Sequence, residues 1–82
     1  MLPKRSDFAY SDALLRAWDA SAKVLRRLNK DRAENPHLRG APSQRELIAL
    51  NDAACAEASH LVPLGLGHHL NQIVSAQLAK LR

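Results

Sequence analysis

Imidazole and thiol groups are the most versatile chemistry in this chain, and most of them gather in one region. The stretch HLVPLGLGHHLNQ, His60 to Gln72, holds three of the four histidines, and the single cysteine, Cys55, precedes His60 by five residues. Such atoms suit zinc, but zinc needs several ligands converging on one point. Side chains one residue apart on a helix diverge by about 100°, so His68 and His69 are not expected to share a metal. A lone cysteine also excludes an intramolecular disulfide and any multi-cysteine zinc site. No metal site is expected.

Gly65 and Gly67 place the sequence GLG ahead of a helix, where glycine lets backbone amides approach a phosphate. A dinucleotide fingerprint needs a third small residue where Leu70 stands and a strand ahead of it, and no Gly-Lys-Ser/Thr sequence occurs. The glycines read instead as a corner: Gly65 for a positive φ at a helix end, Gly67 opening the next helix. Leu64 and Leu66 are expected to turn inward there and seal the bundle. No cofactor is expected.

A nucleophile is equally hard to assemble. Cys55 lies among alanines, with no basic neighbour to lower its pKa. Glu57, Ser59 and His60 are close in sequence, but adjacent helical side chains do not face one another. The chain is therefore read as non-enzymatic, with no small-molecule substrate.

Charge is the remaining candidate. Twelve Lys and Arg against eight Asp and Glu give a formal +4. Residues 1–40 hold nine bases and five acids, whereas residues 41–82 hold three of each. An excess of this size permits contact with nucleic acid or an acidic protein and is equally compatible with solubility alone. The candidate contact residues are Arg16, Lys23, Arg26, Arg27, Lys30 and Arg32 as a basic stripe. His68, His69, Asn71 and Gln72 join them as an exposed polar patch, meaningful if it lies on the same side as the stripe.

The elements that position these groups follow from apolar periodicity. Leu14, Leu15, Trp18, Ala22, Leu25 and Leu28 recur at three- and four-residue intervals, the spacing of one helix face. A long first helix is expected over residues 7–34, starting after Ser6 or Ser11 and stopped by Pro36. Ser43 to Glu46 reads SQRE, a capping box in which hydroxyl and carboxylate each satisfy the other residue's amide. It starts a second helix over 43–61, with Leu47, Leu50, Ala54, Ala58 and Leu61 central to its apolar face and Ile48, Cys55 and Val62 flanking. Ala49, Ala53 and Ala56 give its back a small-residue surface for close helix approach. Leu70, Ile73, Val74, Leu78 and Leu81 share one face of a third helix over 68–81. The expected fold is all-α, a single-domain three-helix bundle whose second and third helices form a hairpin. Asn51 and Gln77 fall among apolar residues. A buried amide without partners costs about 1–3 kcal/mol, so they should pair with each other across the hairpin or reach water at its edge.

No apolar run approaches the roughly 18 residues of a membrane span, and the start lacks the apolar segment of a secretory signal. With one cysteine, this gives a cytoplasmic, soluble reading. Two functions fit. The first is a regulatory or adaptor-like interaction module that binds a protein partner or self-associates as a homo-oligomer, since a chain this short gains from sharing a core. The alternative is a nucleic-acid-binding, helix-turn-helix-like regulator that uses the basic first helix on phosphates.

Overall fold

The computed structural model describes residues 3–8 and 12–82. Among them are three α-helices, α1 (Asp12–Glu34), α2 (Gln44–Ala58) and α3 (Gly67–Leu78), with short 3-10 turns at Arg5–Phe8, Pro36–Leu38 and Ser59–Leu61 and no strand. They pack as a small three-helix bundle. The long α1 lies against both members of the α2–α3 hairpin, most extensively against α2.

Each boundary has a local cause. Residues 5–8 form a 3-10 turn, so α1 begins later than position 7. Ala13 and Leu14, both buried, pin its first turn to the core. Ser11, the other candidate start, lies outside the described residues. Pro36 ends α1, and the Asn35 amide closes its last turn on the Asp31 carbonyl at 2.9 Å. Gly40 then takes φ +116°, which turns the connector back toward α1. The capping box at α2 is complete: the Glu46 amide donates to Ser43 Oγ at 3.2 Å and the Ser43 amide donates to Glu46 Oε1 at 2.9 Å.

The corner after α2 is built as the glycines imply. Gly65 has φ +78°. Its amide donates to the Val62 carbonyl at 3.1 Å and the Leu66 amide to the Leu61 carbonyl at 3.0 Å. This nested pair, with a left-handed glycine inside it, is a Schellman cap. Leu66 folds back against the core beside buried Leu61, the apolar contact that accompanies such caps. Leu64 does not turn inward; it is 69% exposed. It occupies the outer side of the same turn, so only one of the two leucines can face the core.

The core is thin and aliphatic. Leu14, Leu50, Leu70 and Ile73 are its largest fully enclosed aliphatic side chains. Ala17, Ala54 and Ala58 have no exposed surface and let α1 and α2 approach closely. The buried stripe of α2 runs Glu46, Leu50, Ala54, Ala58: Leu50, Ala54, Ala58 and, beyond the helix, Leu61 are buried as expected, and Glu46 takes the place expected of Leu47. Leu47 and Ile48 consequently point outward, 42% and 49% exposed. On the other flank, half-buried Ala49 and Ala53 turn toward α1, so most of the small-residue surface is used within the bundle. Beyond α3, Lys80 places its Nζ 5.0 Å from the centre of the Trp18 ring. Asn29 donates to the Lys80 carbonyl and accepts from the Arg82 amide, which fastens residues 80–82 to α1. No helix of the described residues is long and apolar enough to cross a membrane.

Candidate functional site

Arg32 departs furthest from its expected role. It is 2% exposed and is no part of a solvent-facing stripe. Its Nε donates to Glu46 Oε2 at 2.6 Å and its Nη2 to Glu46 Oε1 at 2.8 Å, a two-pronged pairing of guanidinium and carboxylate. The remaining N–H groups reach the main-chain oxygens of Gly40 (3.1 Å), Arg82 (3.1 Å) and Ala41 (3.4 Å). One side chain thus ties together α1, the α1–α2 connector, the start of α2 and the stretch after α3. Glu46 serves the capping box at the same time, also accepting from Ser43 Oγ at 3.1 Å. A signal for this existed in the sequence: Arg32 stands seven residues after Leu25, on the same helix face as Trp18 and Ser21.

The pairing sets the charge state of both groups. The hydrogen bonds from Arg32 hold the Glu46 carboxyl down at about 2, from an ordinary 4.5, against the opposing effect of burial. Ser43 adds to the depression. The hydrogen bond to Glu46 likewise raises the Arg32 pKa. A depressed carboxylate contributes stability that is present above its unfolded pKa and is lost as pH falls through the folded one. Glu46→Gln is therefore expected to be the less stable protein at pH 7, and its deficit in melting temperature should shrink between pH 4.5 and about 2. A deficit that stays constant over that range would contradict the pairing.

The other basic candidates, Arg16, Lys23, Arg26, Arg27 and Lys30, are exposed on α1. Acids are interleaved with them. Arg16 and Lys23 border a shallow α1–α2 groove together with Asp19 and Glu57. Arg27 borders a cleft of about 490 Å³ with Asp31, His37 and Arg45. The α3 patch lies elsewhere: His68, Asn71 and Gln72 are exposed and His69 is half-buried. Asn71 borders the groove between α2 and α3, and none of these clefts holds members of both sets. The two adjacent histidines do not diverge. Their ring centres lie 3.9 Å apart at an interplanar angle of 39°, because rotation about the side-chain bonds brings the rings together. Among the described residues, no three His, Cys, Asp or Glu side chains are grouped as a metal ion would need.

Gln77 and Asn51 do not meet. Gln77 is 1% exposed, and its Nε2 donates to the Trp18 carbonyl at 3.2 Å and to Ser21 Oγ at 3.3 Å. Ser21 Oγ itself donates to that carbonyl at 3.0 Å, so the buried amide is satisfied from α1. Asn51 is exposed and borders the α2–α3 groove.

That groove, about 390 Å³, is the surface feature sequence reasoning missed. Its walls are Leu47, Ile48 and Asn51 of α2 facing Asn71, Val74, Ser75 and Leu78 of α3, with no charged residue among them. Apolar spacing places Leu47 and Ile48 on the edge of the apolar face of α2, and periodicity alone does not fix which edge residues the neighbouring helices cover.

No protein-family model, curated protein or solved structure matches this chain.

Proposed function

We propose that this chain is a non-enzymatic interaction module that docks a protein partner through the α2–α3 face. The observation that carries the reading is the uncharged groove with two large aliphatic side chains, Leu47 and Ile48, held outward at its rim. Contiguous apolar surface rimmed by polar groups marks docking sites on small proteins, and the centres of such sites are depleted of charge. The basic side chains of α1 serve solubility and long-range attraction of the partner.

The competing nucleic-acid reading rests on Arg16, Lys23, Arg26, Arg27 and Lys30. Two features weigh against it: Asp19, Asp31 and Glu57 interrupt the positive surface, and Asn71 borders a different groove. Titration of duplex DNA and of RNA at low ionic strength separates the readings. The protein-docking reading expects no saturable binding, or weak binding that the Ile48→Glu variant retains. A tight complex that weakens steeply with salt and is lost in the Lys23→Glu/Arg27→Glu variant would overturn it.

A further inference from the structure

We infer that the pocket between the second half of α1, the α1–α2 connector and the stretch after α3 binds a compact, multiply charged phosphate ligand of the pyrophosphate class. This pocket shares no residue with the α2–α3 groove. It has a volume of about 550 Å³ and is bordered by Asn29, Lys30, Arg32, Ala33, Arg39 and Arg82. Four of these six residues are bases, and none is an acid. Arg32 already has its counter-ion in Glu46. Lys30, Arg39 and Arg82 are exposed, and none of them forms an ion pair among the described residues.

The fold, not a run of sequence, brings these three bases together. Lys30 belongs to α1. Arg39 follows the Pro36–Leu38 turn, its amide donating to the Pro36 carbonyl at 3.1 Å. Arg82 is held through its main chain: its amide donates to Asn29 Oδ1 at 2.8 Å, and its oxygen accepts from Arg32 Nη1 at 3.1 Å. A helix C-terminus favours a base in its own last turn, which does not account for further bases delivered by two other segments. Nor are neighbouring acids placed to neutralise them: Asp31 borders the α1–α2 cleft instead, and Glu34 borders neither space.

The chemistry of the lining selects the ligand. Guanidinium groups match phosphate oxygens with paired hydrogen bonds, and an ammonium adds a point charge. Three uncompensated positive charges suit the several negative charges of a pyrophosphate group better than a single carboxylate. Ala33 is the one apolar residue in the lining, so the pocket offers little grip on a large organic body, although its volume is within the roughly 300–1,000 Å³ of ligand sites. A bound anion would join from outside the same three segments that Arg32 joins from within, and a ligand that binds only the folded chain stabilises it.

Calorimetric titration and thermal unfolding with pyrophosphate, at fixed ionic strength, test the inference. The melting temperature should rise saturably, with a dissociation constant below about 1 mM. Arg39→Gln and Arg82→Gln should each weaken binding about tenfold while keeping the wild-type helix signal, since both side chains are exposed. Lys23→Gln, which removes an exposed base of α1 outside the pocket, should bind as wild type does. A rise that never saturates, or one that Lys23→Gln reduces as much as the pocket variants do, would be general charge screening and would overturn the site. RNA or duplex DNA bound more tightly than pyrophosphate, and lost in the same Arg39 and Arg82 variants, would overturn the small ligand as its occupant.

Discussion

Replacing Arg32 with methionine is expected to cost about 3–5 kcal/mol, the range for removing one partner of a buried ion pair. Met fills much of the same volume, so the loss is chemical: Glu46 keeps its charge, 7% exposed and without its counter-ion, and the Gly40 and Ala41 carbonyls lose their donors. A chain of this length has roughly 4–12 kcal/mol of stability in all, so the variant should unfold near or below physiological temperature. The double variant Arg32→Met/Glu46→Leu should recover a large part of the deficit, because removing both charges removes the uncompensated one. It should stay below wild type, since the Ser43 amide loses its cap. Arg32→Lys should fall between, keeping the charge and losing the fork. Urea unfolding of the four proteins checks the order; an Arg32→Met protein within about 1 kcal/mol of wild type would show that the pair is no more than a surface contact.

The second large effect separates two leucines that periodicity treats alike. Leu50 has no exposed surface, and Leu47 is 42% exposed at the rim of the α2–α3 groove. Leu50→Ala should cost about 2–5 kcal/mol through lost burial and a cavity between all three helices. Leu47→Ala should cost under about 1 kcal/mol in the monomer, as surface substitutions do. Thermal unfolding of both variants at a concentration where the chain is monomeric reads the difference directly. Equal losses would place Leu47 in the core and remove the groove.

Those two residues also mark where the sequence stopped being informative. Helix count, the proline stop before α2, the Ser43–Glu46 box and the positive φ at Gly65 are local effects, and local chemistry specifies them. Rotation of α2 about its own axis is not local. It is set by Glu46, which must face α1 to reach Arg32, and that partner lies fourteen residues away. Reading Arg32 as one more base of a charged stripe hid the constraint, although continuing the Leu14, Trp18, Ser21, Leu25 row would have placed it on the inner face. Gln77 was opaque for the same reason: its partners, Trp18 and Ser21, belong to α1, and only the packed bundle brings them to it. Leu64 missed the core because two leucines flank Gly65 and a Schellman turn buries only the second.

In the proposed function the α2–α3 face, and not the basic edge of α1, receives the partner. Site-specific photocrosslinking in the native host tests it most directly, with the reactive amino acid placed at Ile48 in one protein and at Lys23 in another. A discrete protein adduct is expected from position 48, and none of comparable yield from position 23. Crosslinks confined to position 23, whether to nucleic acid or to protein, would contradict it.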